Sequence, residues 1–182
     1  MNSMKSVRVM RDYGPVRLAI ISIFTMVVFF ALFYGIFFDL HPHLQIERFR
    51  LSWFLISLIF VYPLHKIFHC LPLWLSGYRA KLALTTLPNR YPVLFCDWPG
   101  PISRNAAIIS VAFPLIGITG LSFAAASMMP EVFPYISVIA TINFGLSITD
   151  CIYISFLLKA PVDAYVEDFR DGFHILIRTF KS

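Results

Sequence analysis

Four stretches of this chain, residues 18–38, 51–76, 106–129 and 133–158, are apolar over a length that crosses a bilayer. A spanning helix needs about 20 predominantly apolar residues. Backbone polar groups in hydrocarbon must find partners within their own segment, so stretches of this length form helices. Composition agrees: 58% of residues are hydrophobic and 14% charged, where a soluble domain carries roughly 25% charged residues. The sequence therefore predicts an all-α membrane fold over residues 1–182, a four-transmembrane-helix bundle whose first partner is the lipid bilayer. The first apolar run exceeds the roughly 7–15 residues of a secretory signal core and no A-x-A site follows, so it is expected to stay in place.

The fifteen Lys and Arg residues set the orientation. One, Lys66, lies inside a span. Arg48 and Arg50 fall between the first and second spans. The other twelve precede the first span, connect the second to the third, or follow the fourth. Cytoplasmic segments hold the basic excess, so both termini and the long central loop are expected in the cytoplasm of a multi-pass cell-membrane protein. The formal charge of +5 is thereby absorbed by topology, and no nucleic-acid partner is implied. Reporter fusions at Gln45 and Met128 are expected to read as external and one at Asn89 as cytoplasmic; a cytoplasmic signal at Gln45 overturns this topology.

The central loop, about residues 79–98, carries "AKLALTT" and "YPVLFCDW" around "LPNR", a β-hairpin pattern. The tail, about residues 160–182, repeats it with "DAYVED" and "FHILIRTF" around "RDG". Either hairpin is a small cytoplasmic cap on the bundle, or an edge that receives an extended peptide as an added strand. His41 and His43, separated by Pro42, read as loop residues. Cys70, Cys96 and Cys151 form no spacing pattern, so no disulfide framework is expected and Cys70 reads as a small buried thiol.

Ionisable groups are costly inside a membrane and mark function when they occur there. The second span contains His65, Lys66 and His69, and the fourth a single carboxylate, Asp150. His65 and His69 are four apart, hence adjacent on one helix face, a spacing that lets two imidazoles share one zinc ion. His65 lies fifteen residues beyond Arg50 and Asp150 seventeen beyond Phe133. At 1.5 Å per residue both are about 22–25 Å in from the same side. Asn143, Ser147 and Asp150 recur at helical spacing, a polar stripe that should turn inward. A shared metal site of His65, His69 and Asp150 is one expectation; a histidine–aspartate hydrogen bond joining two helices is the other. Pro63 and Pro72 bracket the histidines and each frees a helix carbonyl, which suggests a hydrated pocket nearby.

The segments "YPLHKIFHCLPL", "PISRNAAIISVAFPLI", "NFGLSITDCIY" and "AYVEDFRDGF", in this order, resemble a bacterial family of small membrane zincin peptidases. That family is related in layout to site-2-protease-type intramembrane metalloproteases. The resemblance implies zinc as cofactor, His65 and His69 as its histidine ligands, Asp150 as the third, and a membrane-embedded or extended peptide as substrate. In the family motif a glutamate follows the first histidine and acts as general base on water. Here Lys66 holds that place, and a charged lysine cannot accept a proton. No catalytic residue is therefore assigned. The expectation is a metallopeptidase scaffold with impaired catalysis, or a non-catalytic descendant serving as an adaptor or binding protein. An electroneutral pair of Lys66 with Asp150 is a further alternative to the metal.

Overall fold

The long helices turn apolar side chains outward and polar ones inward, the reverse of a bundle in water. The computed structural model describes residues 2–41, 50–86, 92–169 and 172–177. Its elements in chain order are strand β1 (Asn2–Val7), short helix α1 (Val9–Tyr13), helices α2 (Pro15–Leu40) and α3 (Leu51–Leu75), and strands β2 (Lys81–Thr86), β3 (Pro92–Asp97) and β4 (Ile102–Ser103). Helix α4 (Arg104–Met128), a 3-10 turn (Pro130–Val132), helix α5 (Phe133–Leu158) and strands β5 (Tyr165–Phe169) and β6 (Gly172–Ile177) follow. Helices α2 to α5 are the four expected spans, long and apolar enough to cross a membrane. Ile20, Phe24, Ile59 and Ile116 are each more than 60% exposed on their outer faces, whereas Ser57, Ser110, Ser122, Asn143 and Ser147 are buried.

Helix α5 is the hub, packed against α2, α3 and α4. Lipid supplies no hydrophobic drive between helices, so close approach of small residues and polar contacts must hold them. Ala140, Gly145 and Ser147 provide that approach on α5; at Gly145 any Cβ would run into the Met26 side chain of α2. One end of the α2–α5 seam is aromatic. Phe37 and Phe133 stack with centroids 3.7 Å apart, and Phe29 stacks on Phe144 at 4.3 Å.

At the other end, helix termini are closed by the connecting residues. Ser103 Oγ accepts the Ala106 N–H at the start of α4. The Arg104 guanidinium donates to the Leu157 and Leu158 carbonyls at the end of α5, at 2.8 and 3.3 Å. It satisfies carbonyls that have no helical donor and places positive charge at the negative pole of the helix.

Both expected hairpins form, β2–β3 and β5–β6, each antiparallel. The second is larger than its local pattern implied. β1 pairs with β6 and β4 with β5, giving a four-stranded antiparallel sheet in the order β1-β6-β5-β4. Gly172 opens β6 where an added Cβ would strike the Val7 carbonyl oxygen of β1, so glycine lets the N-terminal strand close in. Residues 87–91 and 170–171, which include the two turn signals, and His43 lie outside the described residues.

The cysteines depart from expectation. Cys70 on α3 is bonded to Cys96 on β3, with Cα atoms 5.9 Å apart, while Cys151 is free. The β2–β3 hairpin folds back along α3, where the Tyr62 hydroxyl also donates to the Leu94 carbonyl at 3.2 Å. Cys70 is thus buried as expected, but as half of a disulfide and not as a thiol. His41 ends α2, its Nδ1 donating to the Phe37 carbonyl and its ring stacked on Phe37.

Candidate metal centre

Helix α3 brings His65 and His69 onto one face, and α5 brings Asp150 to meet them at the same level. All three are buried, at 2%, 7% and 7% exposure, so they are closed within the bundle and not set in an open pocket. His65 Nε2 and His69 Nε2 are 3.2 Å apart. Asp150 Oδ2 is 3.2 Å from the first and 3.6 Å from the second. An open groove lined by Tyr13, Gly14, Arg17 and Ile20 lies at the start of α2 and includes none of these residues.

What lies behind each ring fixes its proton. His69 Nδ1 is 3.0 Å from the Ser110 carbonyl oxygen, which can only accept, so Nδ1–H donates. His65 Nδ1 is 2.9 Å from Asn143 Oδ1. The orientation of that amide is set in turn, because Asn143 Nδ2 donates to the Pro114 carbonyl at 3.1 Å and to Thr119 Oγ1 at 3.4 Å. Asn143 Oδ1 must therefore accept from His65 Nδ1–H. Ser147 Oγ, from the same polar stripe, donates to the Asn143 carbonyl.

A neutral imidazole has one proton. With both protons on Nδ1, the two Nε2 atoms present lone pairs to each other and to a carboxylate oxygen. Among the described residues Asp150 Oδ2 is buried without a hydrogen-bond partner. Three acceptors facing one point require something positive there. It is either a proton, which makes one ring an imidazolium, or a metal cation.

The spacing fits a metal. Ligands about 2.0–2.1 Å from a tetrahedral zinc ion lie about 3.3 Å from each other, and the three separations here are 3.2, 3.2 and 3.6 Å. Two imidazole nitrogens and one carboxylate oxygen are a donor set that zinc accepts, and three protein ligands leave a fourth position open. The outward ring atoms held by Asn143 and Ser110 are the orienting contacts that such ligands need. The buried His65, His69 and Asp150 group can hold a metal ion.

Lys66 stands on a different face of α3. Its Nζ lies 5.9 Å from the centroid of the Tyr62 ring, within range of a cation–π contact. His65 and His69 Nε2 stand at ion-pair distance from Asp150 Oδ2, and either ring is cationic only if protonated.

The polar stripe and the depth of the three residues were readable from sequence; Ser110 and Pro114 as supports of the rings were not. The available signal was their spacing, because a proline removes the helical donor of the carbonyl four residues before it. Pro114 frees a carbonyl in the third span just as Pro63 and Pro72 do in the second.

No curated protein and no solved structure matches the chain. A family model described as "Putative zincin peptidase" matches residues 58–165, more than half of the chain, a range that includes His65, His69 and Asp150. By that match, the chain belongs to the zincin peptidase family so described.

Proposed function

We propose that this protein is an integral membrane zincin that binds zinc through His65 Nε2, His69 Nε2 and Asp150 Oδ2, on a scaffold for holding peptide. Both termini face the cytoplasm. The observation that carries this reading is the convergence of His65 Nε2, His69 Nε2 and Asp150 Oδ2, all buried, at the separations of a tetrahedral edge. Zinc bound there supplies Lewis acidity, which polarises a peptide carbonyl and makes water a better nucleophile. The chain's own part is to hold the two rings and the carboxylate in one orientation, through Asn143 and Ser110, and to exclude bulk water by burial.

An extended peptide is best received by the β2–β3 hairpin. The outer edges of the tail hairpin are partnered by β1 and β4. In the two-stranded sheet, neither outer edge has a neighbouring strand among the described residues. It is held on α3 by the Tyr62–Leu94 hydrogen bond and the Cys70–Cys96 bond, the latter beside His69. Strand addition there runs a peptide past the centre with main-chain hydrogen bonds supplying affinity.

One observation favours a second reading. Lys66 occupies the place of the family's general base, and its ammonium cannot take a proton from water. The same scaffold then binds peptide or zinc without cleaving, as an adaptor. Both readings share the metal centre, so metal content tests both. Protein purified in mild detergent and dialysed against trace zinc is expected to carry about one equivalent of zinc, and the His65→Ala variant almost none. A wild-type protein that is folded and zinc-free after this treatment overturns the proposal.

A further inference from the structure

Pro114 lies behind both histidines: its missing N–H frees the acceptor of His69, and its carbonyl orients the Asn143 that meets His65. In a regular helix the Ser110 carbonyl accepts the N–H of residue 114. That residue is proline and has no N–H. The His69 Nδ1 proton takes the vacated acceptor at 3.0 Å. On its other side, the Pro114 carbonyl accepts from Asn143 Nδ2 at 3.1 Å, the contact that turns Asn143 Oδ1 toward His65.

We propose that Pro114 is a positioning residue: by leaving the Ser110 carbonyl without a helical donor, it dictates that His69 carries its proton on Nδ1 and turns an unprotonated Nε2 toward Asp150. This rests on the reading of His69 as a zinc ligand. Its structural content, however, stands apart from metal.

Three features support it. Ser110, Pro114, His69 and Asn143 are all buried, so water does not compete for these groups. The Ser110 hydroxyl donates back to the His69 carbonyl at 2.7 Å, so two hydrogen bonds running in opposite directions clip α3 to α4 at this level. A bare carbonyl in a membrane helix must find a donor from a neighbour, and the imidazole supplies it.

The test is a pair of measurements on the full-length protein in detergent. Ring ¹⁵N shifts of histidine-labelled, zinc-free wild type are expected to show His69 as the Nδ1–H tautomer. In Pro114→Ala, the new N–H competes for the Ser110 carbonyl. His69 should become a mixture of tautomers, and zinc affinity measured against a competing chelator should fall about 10–100-fold, the usual effect of losing a contact behind a ligand. Ser110→Ala keeps the carbonyl and removes only the hydroxyl, so its His69 tautomer should match wild type.

Wild-type His69 protonated on Nε2 overturns the proposal even if Pro114→Ala fails to fold. So does a folded Pro114→Ala protein with wild-type tautomer and wild-type zinc affinity. Should the wild type bind no zinc while the tautomer still shifts in Pro114→Ala, the metal reading fails and the positioning role stands.

Discussion

Asp150→Asn is expected to abolish measurable zinc binding while leaving the metal-free protein as stable as wild type. The amide has nearly the shape of the carboxylate but loses its charge and gains N–H donors. Those donors can face the two Nε2 atoms, which lie 3.2 and 3.6 Å from the Asp150 oxygen in wild type. Zinc affinity should drop by more than about 100-fold, since loss of a contact behind a ligand already costs about 10–100-fold.

The contrast appears in thermal melts. On the proposed reading, zinc at about 100 times its dissociation constant is expected to stabilise wild type by about 2.7 kcal/mol, through mass action on the folded state. A chelator removes that gain, and Asp150→Asn should respond to neither addition. If a proton fills the centre instead, one histidine is an imidazolium paired with Asp150. Breaking a buried pair by removing one partner costs about 3–5 kcal/mol. The variant would then melt well below wild type, and zinc would move neither protein.

The parts of this molecule legible in its sequence are those governed by a rigid local ruler. A helix rises 1.5 Å per residue, so counting inward from Arg50 and Phe133 puts His65 and Asp150 at one depth. In the folded chain their reactive atoms lie 3.2 Å apart. The periodicity of Asn143, Ser147 and Asp150 marked an inward stripe, and all three are buried.

What escaped depends on partners distant in the chain. Asn2 pairs with Ile177, and nothing local in "NSMKSV" announces a strand whose stability lies in its neighbour. Ile102 and Ser103 make a strand only because Val166 and Tyr165 lie opposite. The Cys70–Cys96 bond likewise needs the hairpin's docked position on α3. It also stands in tension with the charge distribution. The proposed topology, read from the basic excess, would put this end of α3 in the cytoplasm, where thiols are generally kept reduced and disulfides are transient.

Lys66→Glu has the second large expected effect, because it separates a lapsed peptidase from a lysine with a purely structural role. The change puts a carboxylate after the first histidine, where the zincin motif that the sequence resembles has its general base, and it replaces a positive charge near the centre with a negative one. At an effective dielectric constant of about 20, charges a few ångströms apart interact by several kcal/mol. Zinc affinity is therefore expected to rise by at least about tenfold, equivalent to about 1.4 kcal/mol. Cleavage of a membrane-embedded peptide should appear where the wild type shows little, because the new carboxylate can accept a proton from water.

The ammonium sits 5.9 Å from the Tyr62 ring centroid, within range of a modest cation–π contact. Losing Lys66 should thus cost the fold little. If Lys66 instead balances the charge of Asp150, the variant sets two carboxylates together and loses about 3–5 kcal/mol, visible as a depressed melting temperature in detergent. Added zinc then decides between the two. Recovery of the melting temperature with zinc means that the metal centre takes up the excess negative charge. A loss that zinc does not reverse means that Lys66 and Asp150 form the pair and the centre holds no metal. A variant that binds no more zinc than wild type and melts with it would leave Lys66 as a residue reaching toward the membrane surface, and the account of a lapsed general base would fail.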